Sequence, residues 1–217
     1  MKNILILFLF LSIFDSTLFS QTIRIQGAYI TSKIQSTKKD VELGRQNYTD
    51  PIHTFRPSIG VDFFERKYYN VSATVGLTRK GGVGQHEETV WGGDIRKETF
   101  ETRIDYVSMS LAFESGYPIH MVTPFVRAGP RFDYMTRFSQ DQNRYMKENS
   151  PYNYSFGINV GGGFKFNYGK YLLGARYDHL YSFTPVHKLP GSFNDGDDIV
   201  TDRTYSVTAF IGYRFRG

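Results

Sequence analysis

With 26 basic and 21 acidic side chains among 217 residues, the chain has a formal charge of +5, too mild a bias to mark a nucleic-acid binder. It has no cysteine, which excludes disulfides, thiolate metal sites and a cysteine-linked lipid anchor. Aromatic residues are frequent, with 16 Tyr and 19 Phe against one Trp; the mean hydropathy is −0.38, and after the first residues the sequence has no second apolar run long enough for a membrane helix.

The chain begins with Lys2 and an apolar run from Ile4 to Phe14, followed by the polar stretch D-S-T-L-F-S-Q. A membrane-spanning helix needs about 20 apolar residues, so this shorter run reads as a secretory signal peptide. Residues 1–20 are assigned to it and residues 21–217 to a single domain. The leader carries one base, Lys2, and one acid, Asp15, so the exported chain keeps its +5 charge.

From there the sequence alternates with period 2, the mark of strands with two different faces. Strands are predicted over 22–31, 54–66, 68–78, 106–114, 124–134, 155–166, 171–181 and from Arg203 to the end. No stretch shows a convincing 3.6-residue period. Short links at 66–67, 115–120 and 167–170 read as tight turns. Long polar links are expected at 32–53, 79–105, 135–154 and 182–203, with R-K-G-G-V-G (79–84) and P-G-S-F-N-D-G-D-D (190–198) supplying turn chemistry. An even number of strands, short turns at one end and long loops at the other describe an eight-stranded antiparallel up-and-down transmembrane β-barrel. The turns would lie in the periplasm and the loops outside the cell.

A soluble barrel alternates too, with its apolar face inward. Three features point to the membrane instead. Aromatics gather near strand ends as an interfacial girdle: Phe55, Phe63, Phe113, Tyr117, Phe164, Phe166, Tyr177, Tyr181, Tyr213 and Phe215. The opposite face is rich in glycine and serine, which suits a narrow lumen. The long links fall at one end only. The polar face also carries Arg24, Arg56, Asp62, Glu114, Arg127, Arg131, Asp133, Lys165, Arg176, Asp178 and Arg214. Each Arg or Lys would cost roughly 2–4 kcal/mol facing lipid at mid-bilayer. Facing inward, these charges are expected to pair across a plugged lumen.

The stretch P-S-I-G-V-D-F-F-E-R-K-Y-Y-N-V-S-A-T-V-G-L-T-R-K-G-G resembles the second hairpin of the PorT-like, OmpX-like outer-membrane β-barrel family. Y-V-S-M-S-L-A-F-E with P-F-V-R-A-G-P-R-F-D-Y is similar to its central hairpin, and F-G-I-N-V-G-G-G-F-K-F with Y-S-V-T-A-F-I-G-Y-R-F to its closing strands. The resemblance implies an eight-stranded barrel integral to a Gram-negative outer membrane. It also implies a role, in some relatives, beside a protein-secretion and gliding apparatus. It brings no catalytic motif.

Chemistry-bearing residues are sparse. His53, His86, His120, His179 and His187 lack metal-site spacing, although His53, His86 and His187 would share the outer end. The loop Asn194, Asp195, Asp197, Asp198, Asp202 has a calcium-loop composition without the spacing. Arg79, Lys80, Arg96 and Lys97 read as rim charges able to meet lipopolysaccharide phosphates. Ser182, His179 and Asp178 are the residues a lipid-modifying enzyme would use, but Asp178 and His179 should face opposite ways. The expected function is a small non-enzymatic barrel without cofactor, an accessory subunit of an envelope secretion or assembly complex. The alternative is a standalone surface barrel for ligand contact or adhesion. The expected partners are outer-membrane lipid, lipopolysaccharide and other envelope proteins.

Overall fold

The computed structural model describes residues 21–36, 47–89, 95–140, 152–189 and 198–215. The signal-peptide assignment, at 1–20, lies outside the described residues. The described residues form nine strands: β1 (Thr22–Ser36), β2 (Asn47–Phe63), β3 (Tyr69–Thr89), β4 (Ile95–Gly116), β5 (Val122–Gln140), β6 (Tyr154–Tyr168), β7 (Tyr171–Ser182), β8 (His187–Leu189) and β9 (Asp198–Arg214). Eight of them pair antiparallel in chain order, and β9 returns to pair with β1 along its whole length, from Thr22 opposite Arg214 to Ser36 opposite Val200. This ladder closes the barrel. The three-residue β8 only edges β9 above the rim.

Closure disposes of the edges that an open sheet would leave unpaired. Period 2 then divides the side chains between outside and lumen. On β3, Tyr69, Val75 and Leu77 face outward, exposed, while Asn70, Ser72, Thr74 and Thr78 between them are buried. On β9 the outward residues are Val207, Ile211 and Tyr213, alternating with buried Thr204, Ser206, Thr208 and Phe210. The outward apolar windows run over 23–29, 55–63, 69–77, 107–113, 124–134, 154–166, 171–181 and 205–213. They approach the 9–11 residues or so that a tilted strand needs to cross hydrocarbon.

The strands are longer than the alternation suggested. The expected loops at 32–53 and 79–105 are largely strand: β3 and β4 reach 21 and 22 residues and stay paired up to Thr89 opposite Ile95. The run R-K-G-G-V-G is not a turn but the middle of β3, with Gly81 opposite Arg103 and Gly82 opposite Thr102. Here the two faces exchange character. Outward positions become charged (Arg79, Glu101, Arg103, Asp105), and inward positions become apolar (Ile30, Ile34, Ile52, Phe100, Ile104). Beyond the bilayer, water wets the outer wall, so the apolar face must turn to the lumen. Ile34, Ile104, Tyr106 and Val186 form a buried cluster, flanked by Met135 and Phe138. Because β1 and β4 are not neighbours in the sheet, the cluster spans the barrel.

The wall is not uniform. Between Pro51 and Ser58 of β2, and the facing Gly82 and Gly76 of β3, the ladder lapses and its register shifts. A proline has no N–H to offer a ladder, and Pro51 and Pro57 bracket this interval. There the Thr54 hydroxyl, donating to the Arg79 carbonyl at 3.2 Å, bridges the two strands.

Glycine creates the room the lumen needs. A Cβ on Gly60 would meet the Gln26 amide at 2.2 Å, one on Gly161 the Asp178 carboxylate at 2.4 Å, and one on Gly174 the Phe210 ring at 2.3 Å. At Gly129 the obstacle is backbone, with Leu111 O at 1.9 Å and Ala112 Cα at 2.6 Å. Gly129→Val therefore has to force β4 from β5. It is expected to lower stability by about 1–3 kcal/mol or more, read as a lower urea midpoint for the folded barrel in lipid vesicles.

Candidate functional site

Among the described residues, charged side chains converge in the lumen. Ten of the eleven charges read from the polar face are buried inside it; Arg24, Asp62 and Asp133 are wholly sealed from water. The eleventh, Arg214, stays half-buried at the turn-side mouth, where it pairs with Glu65 at 3.0 Å and donates to Asn167.

Glu114 on β4 is the hub of the lower layer. It receives Lys165 of β6 and the Ser72 hydroxyl, the latter at 3.0 Å. Arg24 of β1 lies at 3.6 Å and Arg127 of β5 at 3.8 Å. Arg24 also approaches Asp62 at 2.7 Å, but its N–H bonds are not aligned with the carboxylate. That contact is Coulombic rather than a hydrogen-bonded fork. Arg176 on β7 holds Asp178 at 2.8 Å and reaches past β9 to Gln26 of β1 at 2.7 Å. Aromatic rings complete the packing: Arg24 and Arg176 lie over Phe210, at 5.2 and 5.7 Å, and Lys165 over Phe125 at 4.9 Å.

An upper layer rests on two residues that the sequence reading placed elsewhere. Lys80, taken for a rim charge, is buried in β3 and bridges Asp133 at 2.8 Å and Asp202 at 3.1 Å. Asp202, taken for part of an acidic loop, faces the lumen from β9. Arg131 joins them, 3.0 Å from Asp133, and donates to the Ser182 hydroxyl at 2.8 Å. Burial alone would push the Asp202 carboxyl up, but the Lys80 ammonium and Arg131 guanidinium outweigh it and hold the group below its ordinary value. The missed signal was parity. Lys80 and Asp202 keep the inward phase of Thr78 and Thr204, two residues away in each strand.

The other candidates separate. Asp178 points inward to Arg176, while His179 points outward, tilted against Tyr181 at 3.8 Å and stacked on Tyr205 at 4.4 Å between ring centres. With Ser182 accepting from Arg131, the three form no triad. His53 lies on the outer wall, stacked on Tyr29 and bonded to Thr31. Among the described residues no group of three His, Cys, Asp or Glu is placed to hold a metal. Asn194, Asp195 and Asp197 lie outside the described residues. Arg79, on the outer wall above the bilayer, pairs with Asp105 at 2.6 Å. Nearby, hydrogen bonds from Arg103 hold the Glu101 carboxyl below its ordinary range.

The girdle residues are all on the outer wall. Phe63, Phe113, Tyr117, Phe166, Tyr213 and Phe215 gather toward the turn end, with Phe164 one register step above. Phe55, Tyr177 and Tyr181 lie toward the opposite rim, joined there by Tyr29, Phe132, Tyr134, Tyr154 and Phe156. At the turn-side mouth a vestibule of about 540 Å³ opens between residues that include Glu65, Arg66, Lys67, Asn70, Lys165 and Arg214.

A closed barrel with an apolar outer band, aromatic rims and a charged lumen is an integral outer-membrane β-barrel. Comparison with solved structures agrees on the fold. The outer membrane protein OprG of Pseudomonas aeruginosa superposes with a TM-score of 0.59 at 12% identity, over 91% of this chain and 97% of that one. The outer membrane protein AlkL, solved in lipid bilayers, gives a TM-score of 0.50 at 10% identity, over 92% and 90% of the two chains. No protein-family model and no curated protein matches the chain.

Glu114→Ala leaves Arg24, Arg127 and Lys165 buried without their shared acceptor. It is expected to cost about 3–5 kcal/mol, measured by urea unfolding in vesicles. Lys80→Met should flatten a pH response. In the wild type, the lowered Asp202 group contributes stability above its unfolded value of about 4, lost as pH falls. Without Lys80 the strongest of the charges that favour the ionised Asp202 carboxyl is gone, so less of that stability is there to lose. The variant should therefore be less stable than the wild type at pH 7 and should lose less stability when acidified, read as urea midpoints across the pH range.

Proposed function

We propose that this barrel works by contact rather than by conduction or catalysis, as an accessory subunit of an envelope secretion or assembly complex. The observation that carries the reading is the filled lumen. Among the described residues, side chains from non-adjacent strands meet inside it in two charged layers and one apolar layer, which supports a barrel without a wide diffusion path. A barrel that does not conduct acts through its outer wall and its ends. The resemblance to PorT-like barrels supports the choice of a secretion or assembly partner.

The extension of β3 and β4 beyond the bilayer favours a second reading, a standalone surface barrel. It holds up a stiff charged wall carrying Arg79, Glu101, Arg103 and Asp105 where lipopolysaccharide, ligands or other cells would meet it. A lipid-modifying enzyme is disfavoured by the divergence of Asp178, His179 and Ser182.

Crosslinking in gently solubilised outer membranes, followed by affinity capture on a tag in an extracellular loop, separates the two. A defined set of co-purifying envelope proteins is expected for the accessory subunit. Recovery of the chain alone with lipid would overturn that reading in favour of the standalone barrel.

A further inference from the structure

The first charged row above the apolar band differs around the barrel. On β3 and β4 each base holds a carboxylate of its own. Arg79 donates twice to Asp105, at 2.6 and 3.1 Å, and Arg103 twice to Glu101, at 2.7 and 2.6 Å. At the seam where the barrel closes, the row is built otherwise. Lys33 of β1 and Arg203 of β9 are direct partners in the ladder, both on the outer wall, with Arg203 exposed and Lys33 half-buried. Two cations placed directly opposite each other repel, and neither makes an ion pair with a described residue.

Their height follows from the same ladder. Near the turn end its outward residues are Ile23 opposite Tyr213, and ten residues further along each strand they are Lys33 opposite Arg203. At about 3.4 Å per residue and a tilt of roughly 40°, those residues climb about 26 Å, close to the apolar band of about 25 Å in an outer-membrane barrel. The two cations therefore stand where hydrocarbon ends and lipid phosphates begin. Aromatic rings lie beside and below them. Tyr181 flanks Arg203 from β7, and one outward row down Tyr205 pairs with Thr31 on one side and His179 on the other. The Tyr205 and His179 rings are stacked, with centres 4.4 Å apart. Tyrosines at this level anchor a wall at the headgroups.

A guanidinium and an ammonium carry donors only. Side by side they suit a phosphate, which accepts from both and cancels their repulsion. We propose that Lys33 and Arg203 grip a phosphate of a lipid A headgroup, which makes the closing seam a lipopolysaccharide site. The site rests on the expected orientation, loop end toward the medium. It deepens the standalone-barrel reading by placing the lipopolysaccharide contact on the seam rather than on the β3–β4 wall, whose bases are already paired.

Native mass spectrometry tests this on the purified barrel, after incubation in detergent with bis-phosphorylated lipid A or with the same lipid dephosphorylated. The wild type is expected to retain the phosphorylated lipid about tenfold better. Lys33→Gln/Arg203→Gln should lose that preference, and Arg79→Gln/Arg103→Gln should keep it. Equal retention of the two lipids by the wild type would overturn the proposal; acids of the chain's own loops neutralising the seam would give that result. An undiminished preference in the seam variant would overturn it too, as would an equal loss in Arg79→Gln/Arg103→Gln. Inorganic phosphate should not displace the lipid; displacement would mark a free-phosphate site instead. Should the double seam variant fail to fold, Lys33→Gln and Arg203→Gln singly decide the location, each with a reduced preference expected. The purified barrel contains no envelope partner, so this outcome and that of the crosslinking capture are independent.

Discussion

Everything in this molecule follows from where eight strands can put an arginine. A transmembrane barrel of this size offers lipid on one side and a lumen barely wider than its own side chains on the other. Lipid rejects the charge and the lumen has little water to dissolve it, so most of the inward Arg, Lys, Asp and Glu side chains are drawn to partners inside the barrel, many of them on another strand. The contacts from Lys165 to Glu114 and from Lys80 to Asp133 and Asp202 meet that demand, and they also tie together strands that share no backbone ladder. The glycines opposite Gln26, Asp178 and Phe210 are the same constraint seen from the wall, since long side chains enter only where a neighbour has none.

That constraint separates two routes by which such a barrel holds together. Backbone ladders close the cylinder whatever fills it. The cross-lumen ion pairs decide its shape in section, because they set which wall approaches which. Such pairs contribute little net energy when complete, yet losing one partner is expensive. They therefore act less as a source of stability than as a penalty on any other register, one that would turn Arg24 or Arg131 toward lipid.

Much of the fold could be read from alternation alone. β6, β7 and the membrane part of β9 lie close to where the pattern puts them, because outward Leu, Val, Phe and Tyr contrast with inward Gly, Ser and Thr. The reading failed where the contrast reverses. Past Leu77 and before Val107 the outward positions turn charged and the inward ones apolar, and this inverted phase was mistaken for loop. Lys80 was lost for that reason, along with a double glycine that suggests a turn. Asp202 was hidden by the acids that precede it. Inward aromatics were missed as well: Phe210, Phe125 and Tyr106 belong to the lumen, where cations stack on them. Which charge meets which across the lumen depends on strand order and shear, and neither is written in any local stretch.

The two ends of the cylinder differ in a way that gives it a direction. Its outer end is crossed by Ile34, Ile104, Tyr106 and Val186, while its turn end opens as the vestibule beside Lys165 and Asn70. Among the described residues the cylinder is thus a cup rather than a tube, crossed by hydrocarbon at one end and open at the other. On the orientation expected from the turn lengths, the open mouth faces the periplasm. Lys165 and the charges beside it then meet water first from the compartment the cell controls, even though the barrel stands at the cell's outer boundary.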